Sequence, residues 1–179
     1  MNLVVYGAGG MGRELMWQIS SQLGDEYNIL GFIDDSSQKL NTVINGYKVI
    51  GNTEWLLNYN NPIAVAVAIG DSNVRQNVVS KLKKNSNITF PNVISNGAII
   101  SDFVEMGEGN IICPGSIITV NVKIGNFVLC NRSCNIAHDD VVGDYVTLNP
   151  SVTLSGNVSV GDKANIGTGA VVIQGKSIG

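Results

Sequence analysis

The 179-residue chain predicts two parts of different class: an α/β nucleotide-binding unit over residues 1–90, then a parallel β-helix of six-residue repeats over residues 91–179. Three observations carry this. An apolar run at the N-terminus ends in a glycine cluster and passes into helical spacing. From Ile94 an aliphatic site returns at every sixth residue, without a slip, to Ile178. Between the two patterns stands Thr89-Phe90-Pro91-Asn92, which sets the boundary near 87–91.

In the first part, Asn2–Tyr6 is short, apolar and β-branched and predicts a strand. Gly7-Ala8-Gly9-Gly10-Met11-Gly12 follows, and Arg13–Leu23 places Leu15, Met16, Ile19 and Leu23 at helical spacing. Strand, glycine turn and helix open a nucleotide-binding unit, because glycines let the backbone approach a phosphate and a helix N-terminus offers N–H groups and a positive dipole end. Asn28–Ile33 predicts a second strand ending at Asp34-Asp35. Gly46–Ile50 predicts a weak third, Pro62–Ile69 a buried fourth ending at Gly70-Asp71, and Val74–Lys84 a helix.

Gly7, Gly9 and Gly12 fit G-x-G-x-x-G, and Asp34 lies 22 residues beyond Gly12. This is the fingerprint of a dinucleotide site. The α/β pattern ends near residue 90, however, after about four strands, and a dinucleotide fold needs two such halves. NAD is therefore disfavoured, and a single nucleotide or nucleotide-sugar is expected. Gly7, Ala8, Gly9 and Gly10 would approach its phosphates or sugar. Asp34 and Asp35 would accept hydrogen bonds from ribose or base, and Gly70 and Asp71 would complete the crevice wall. The structural alternative is a tight turn without a ligand.

In the second part the repeat sites are Ile94, Ile100, Met106, Ile112, Ile118, Ile124, Cys130, Ile136, Val142, Leu148, Leu154, Val160, Ile166, Val172 and Ile178. A period of six fits neither a helix nor a hairpin meander, but it suits a solenoid. Counting each site as i, position i+4 is small or β-branched in most hexads, as at Val122, Val128, Cys134, Val146, Val152 and Val158. One large and one small inward residue per hexad suit a triangular prism. Three hexads then make an 18-residue coil, with coils stacked about 4.8 Å apart. Before the last hexad, Asp140 is the one charged residue at an inward i+4 site.

The hexads resemble those of the left-handed β-helix acyltransferases. With the glycine motif in front, the whole chain resembles the bacterial hexapeptide-repeat sugar acetyltransferases of the PglD and NeuD type. The resemblance implies a Rossmann-like nucleotide-sugar-binding domain, a left-handed β-helix and acetyl-CoA as co-substrate. It further implies a homotrimer with active sites between subunits. It also implies C-terminal coils that this chain lacks, since the hexads stop at Gly179.

His138 is the sole histidine. It falls at i+2, an outward phase, and is followed by Asp139 and Asp140. Acyl transfer from a thioester needs a base for the attacking amine or hydroxyl, and histidine titrates in the right range. Asp139 is expected to orient the ring, because the family carries an acid directly after its histidine. Residues 18 apart share a column, which stacks Val120, His138 and Gly156. The Gly156 N–H is then expected to meet the oxyanion or acetyl-CoA. Asn131 resembles a family position near the sugar.

Composition narrows the alternatives. The net charge is −3 with no basic block, which argues against nucleic acid. No apolar stretch approaches the roughly 18 to 20 residues of a membrane span. The start, MNLVVYGAGG, reads as a strand rather than a signal peptide. Three cysteines, Cys113, Cys130 and Cys134, without a CxxC, fit a reducing cytoplasm, with Cys130 and Cys134 packed inward. A zinc enzyme on this prism would use three histidines, so no metal is expected. The leading function is acetyl transfer to the amine of a UDP-4-amino-sugar. A sugar O-acetyltransferase of the sialic acid type and a non-catalytic nucleotide-sugar-binding scaffold are the alternatives.

Overall fold

A computed structural model describes Met1–Gln22 and Glu26–Gly179. The chain divides into two compact units, residues 1–70 with 74–91 and residues 71–73 with 92–179.

The first unit runs β1 (Asn2–Tyr6), α1 (Gly10–Gln22), β2 (Asn28–Ile33), β3 (Val43–Ile44), β4 (Tyr47–Gly51), α2 (Thr53–Leu57), β5 (Ile63–Val67), α3 (Ser72–Leu82) and β6 (Ile88–Thr89). The sheet order is β3-β4-β2-β1-β5-β6. β1 lies inside the sheet, parallel to β2 and β5, and Leu3, Val4, Val5, Ile63 and Ala64 are fully buried. Leu15, Met16 and Ile19 bury one face of α1. Leu23, expected on the same face, lies outside the described residues.

Three expectations need correction here. The first helix begins at Gly10, not Arg13. A Cβ on Gly12 would fall 1.7 Å from the Gly7 carbonyl oxygen, so glycine is what lets the first turn of α1 pack against the end of β1. The third long strand starts at Tyr47, because Asn45 and Gly46 (φ +50° and +86°) turn a tight hairpin between β3 and β4. The sequence reading also passed over α2, which is capped by Asn52 accepting from the Trp55 N–H at 3.0 Å.

The second unit is fifteen two-residue strands, each ending on a repeat site. β7 (Val93–Ile94), β10 (Ile111–Ile112), β13 (Leu129–Cys130), β16 (Thr147–Leu148) and β19 (Asn165–Ile166) form one parallel sheet. β8 (Ile99–Ile100), β11 (Ile117–Ile118), β14 (Asn135–Ile136), β17 (Thr153–Leu154) and β20 (Val171–Val172) form the second. β9 (Glu105–Met106), β12 (Lys123–Ile124), β15 (Val141–Val142), β18 (Ser159–Val160) and β21 (Ser177–Ile178) form the third. Paired residues are 18 apart, as in Ile136 with Leu154, so one coil is three hexads.

Sites from Ile112 to Ile166 are buried and share one core with Val122, Val128, Cys134, Val146, Val152 and Val158. Each fully buried aliphatic side chain contributes about 1.5–3 kcal/mol, so the core is a long column of equal increments. Position i+3 turns the corners in the left-handed backbone region, at Asn121, Phe127, Ser133, Asp139, Tyr145, Ser151, Asn157 and Lys163. Three inward i+4 sites are polar and fully buried, Asn110, Ser116 and Asp140. Asn110 donates to the Gly107 and Gly125 carbonyls at 3.1 and 3.0 Å and accepts from the Val128 N–H at 2.6 Å. It ties neighbouring coils together.

Candidate active site

His138 stands in the corner that follows β14, with half of its side chain exposed. Its Nδ1 lies 2.9 Å from Asp139 Oδ2. Asp139 takes φ +62°, the corner conformation, which swings its carboxylate back beside the preceding ring. Its other oxygen accepts from Asn121 Nδ2 at 3.3 Å. Hydrogen bonds from His138 and Asn121 hold the Asp139 carboxyl below its ordinary pKa. An ionised carboxylate only accepts, so the proton of this bond sits on Nδ1, and in the neutral ring Nε2 keeps the lone pair.

Nε2 faces Gly156 on the next coil. A Cβ at Gly156 (φ +101°) would fall 2.8 Å from Nε2 and 2.9 Å from Cε1. Glycine is therefore required both for the backbone conformation and for the ring. The Asn157 N–H donates to the His138 carbonyl at 2.9 Å, and the Asp139 N–H to the Val120 carbonyl at 3.2 Å, so the corner is stitched above and below.

Asp140 lies behind the pair. Its Oδ2 accepts from the Ala137 N–H at 2.9 Å and its Oδ1 from the Val158 N–H at 2.8 Å. Burial pushes its carboxyl up. The Val158 and Ala137 N–H groups, the His138 charge and, least, the Gly156 N–H oppose this without reversing it.

The chain thus brings His138, Asp139 and Gly156 together. Asn131 sits at the preceding corner, before β14, with its side-chain oxygen on the Arg132 N–H at 2.8 Å. Asn121 was missed by sequence reasoning, although the 18-residue column that found Gly156 from His138 also leads from Asp139 back to Asn121.

In the first unit, a cavity of about 250 Å³ opens at the carboxyl ends of β1, β2 and β5. It is lined by Tyr6, Gly7, Asp34, Asp35, Ser36, Ile69, Val74 and Val78. Gly10 instead lines a separate recess with Arg13, Glu14, Trp17 and Asn45. At Gly9 and Gly10 a Cβ would meet nothing within 4 Å. Gly70 and Asp71 follow Ile69 in the chain and are not part of that lining.

Asp34 and Asp35, expected as ribose or base acceptors, both line this cavity, and the fold also engages both carboxylates. Asp34 accepts from the Ala8 N–H at 2.9 Å, the Ser36 N–H at 3.0 Å and Lys39 Nζ at 2.8 Å. Asp35 accepts from the Thr53 N–H at 2.7 Å, the Thr53 hydroxyl at 2.8 Å and the Tyr6 hydroxyl at 2.9 Å. Burial pushes both carboxyls up, but these donors outweigh it and hold both below the ordinary value. The two aspartates brace the glycine loop and α2 around the cavity.

Cys113, Cys130 and Cys134 are buried thiols, none in a disulfide. The hydrogen bond with Cys134, together with burial, holds the Cys130 thiol well above its ordinary pKa. Among the described residues there is no cluster of three or more His, Cys, Asp or Glu side chains that would hold a metal, and no helix long and apolar enough to cross a membrane.

A hexad prism with one carboxylate-held histidine against a glycine of the next coil, preceded by an α/β unit, defines the class as a β-helix acyltransferase. Comparison with known proteins makes this specific. Residues 2–82 match the PglD N-terminal domain family. WeeI from Acinetobacter baumannii AYE is 31% identical, with a TM-score of 0.74, over 100% of this chain and 95% of that one. The acetyltransferase domain of PglB from Neisseria gonorrhoeae FA1090, in complex with acetyl coenzyme A, is 27% identical, with a TM-score of 0.90, over 98% of this chain and 83% of that one. A histidine-to-asparagine mutant of perosamine N-acetyltransferase from Caulobacter crescentus, in complex with CoA and GDP-perosamine, shares the fold at 20% identity. Its TM-score is 0.81 over 99% of this chain and 90% of that one. No curated protein matches the sequence significantly. The chain belongs to the bacterial hexapeptide-repeat sugar acetyltransferases of the PglD type, and its second unit is their left-handed parallel β-helix.

Proposed function

We propose that the chain transfers the acetyl group of acetyl-CoA to the amine of an amino-sugar nucleotide of the UDP-4-amino-sugar type, with His138 as general base. The observation that carries this reading is the His138 ring, held at Nδ1 by Asp139 and faced at Nε2 by the Gly156 backbone. Acetyl-CoA is the donor by analogy with the PglB domain, whose structure contains it.

In this reading Nε2 removes a proton from the sugar amine as its nitrogen attacks the thioester carbonyl carbon. Asp139 stabilises the imidazolium that forms. The Gly156 N–H donates to the carbonyl oxygen as it becomes an oxyanion. The carbon–sulfur bond then breaks, and the imidazolium returns the proton to the CoA sulfur. The products are the acetamido sugar and CoA.

The nucleotide's phosphates would meet the backbone of Gly7, Ala8, Gly9 and Gly10 at the start of α1, with Gly70 and Asp71 as further contacts and Asn131 serving the sugar. A cytoplasmic homotrimer completes the reading. Ile99, Ile117 and Val171 support it, as three exposed aliphatic residues on the outer face of one sheet of the prism.

The test compares wild type with His138→Ala for CoA release from acetyl-CoA in the presence of UDP-, dTDP-, GDP- and CMP-linked amino-sugars and free sialic acid. Amine acetylation that disappears in the variant is expected. Full activity in the variant overturns the role of His138, and acetylation of a hydroxyl alone moves the enzyme to the O-acetyl class.

A further inference from the structure

We propose that Asp140 is a positioning residue for this centre: its buried carboxylate ties the backbone before His138 to the backbone after Gly156 and places a fixed negative charge behind the imidazole. The proposal rests on the acetyl-transfer reading given above.

The site is not one where this fold needs a charge. One coil below and one above Asp140, the same inward position holds Val122 and Val158, both buried. Asp140 is 0% exposed, so solubility does not account for it. Both of its oxygens accept from N–H donors, Ala137 to Oδ2 and Val158 to Oδ1, which is the bonding of an ionised carboxylate rather than a carboxylic acid. Ala137 directly precedes His138, and Val158 follows Gly156 by two residues. One side chain thereby fixes the two backbone segments whose separation sets the gap between Nε2 and Gly156.

Asn110 is an internal control. It occupies the same i+4 phase at another corner, and its Oδ1 also accepts from the N–H 18 residues on, at Val128. Its amide, however, donates to the carbonyl three residues back, Gly107, where Asp140 accepts from the N–H of Ala137. A neutral amide therefore suffices to tie coils together where no histidine stands. At the His138 corner the backbone is presented the other way, and a negative charge receives it.

Of the groups around Asp140, His138 is the titratable side chain whose charge it meets, since Val122 and Val158 face it from the adjoining coils and Asp139 bonds to His138 Nδ1. The carboxylate favours the imidazolium form, which the reaction generates in its transition state.

The test uses Asp140→Asn and Asp140→Val on the full chain. Asparagine keeps the shape but sets an NH2 group against an N–H donor. Valine restores the residue found one coil above and below, which this inward position accommodates in the neighbouring coils. Because His138 is the sole histidine, its ring signals in NMR need no assignment, and their pH titration reads the coupling without turnover. In Asp140→Val the melting temperature is expected to fall by some degrees, because the Ala137 and Val158 N–H groups lose their acceptor, while kcat falls about tenfold or more, since a shift of 1 Å at a reacting centre costs on the order of 10²-fold. The KM for acetyl-CoA changes little. The His138 midpoint falls, as removal of a nearby anion requires. A folded Asp140→Val protein with wild-type kcat and an unmoved midpoint overturns the proposal. If the wild-type chain acetylates no acceptor, the functional reading fails, and the NMR shift still decides by itself whether Asp140 acts on His138.

Discussion

Replacing Gly156 by alanine tests the geometry of the centre most directly. The added Cβ would sit 2.8 Å from His138 Nε2, 2.9 Å from Cε1 and 3.3 Å from Cδ2. Ordinary contacts between such atoms lie near 3.5–4.0 Å, so the ring must retreat by about 0.7–1 Å. It is free to do so, being half exposed, and the clash is therefore relieved at the expense of position rather than of folding. A misplacement of that size lowers kcat on the order of 10²-fold, about 2.7 kcal/mol of barrier. Backbone strain at φ +101° adds about 1–3 kcal/mol of destabilisation. Gly46→Ala isolates that strain, because Gly46 has φ +86° and no atom within 4 Å of an added Cβ, and it lies in the hairpin turn before β4. The assay is the initial rate of CoA thiol release at saturating acetyl-CoA, with melting temperatures for both variants. Gly156→Ala should lose about two orders of magnitude in kcat and a few degrees in Tm, and Gly46→Ala only the few degrees. Wild-type kcat in Gly156→Ala would refute the claim that the ring works where it now stands.

Asp139→Asn should lower kcat on the order of 10²-fold or more, because the amide no longer compels the Nδ1–H tautomer, while a thermal melt shows little change at this exposed corner. Asp34 and Asp35 have folded pKa values below those of the unfolded chain. Their contribution to stability is complete above the ordinary carboxylate value near 3.9 and is lost as pH falls through the lower folded values. Urea midpoints should therefore drop below about pH 4, and Asp34→Asn should be weaker at neutral pH but less sensitive to acid; an identical pH profile in that variant would rule out the bracing role. Asn110→Ala strands the Val128 N–H and the Gly125 carbonyl, and should destabilise the β-helix by about 2–4 kcal/mol in denaturant titration.

The β-helix was legible because each coil depends only on its neighbours. A strict period in sequence becomes a strict offset in space, and the 18-residue pairing follows. β1 and β2 were legible to the residue, as buried β-branched runs. The start of α1 was not, because glycine propensity argues against helix at Gly10 and Gly12, whereas close packing on Gly7 demands it. α2 is five residues long, too short to announce itself by periodicity, and only the Asn52 cap marks it.

At the site, chemistry named His138 and Asp139, and column arithmetic found Gly156. What the sequence did not disclose is who claims each carboxylate. Asp34 has the spacing of a ribose-binding acid, yet its partners are Ala8, Ser36 and Lys39, which only the folded loop brings to it. Asp139 and Asp140 make the same point at the reacting centre, since they are adjacent and chemically identical. Donors from His138 and Asn121 lower the pKa of the exposed one, and burial raises that of the other. One residue of phase along a hexad decides which is which, because i+3 turns the corner outward and i+4 points into the core. In the proposed mechanism the two carboxylates beside one histidine divide the labour: Asp139 would fix the tautomer from the solvent side through its bond to Nδ1, and Asp140 would fix the backbone from within through the Ala137 and Val158 N–H groups.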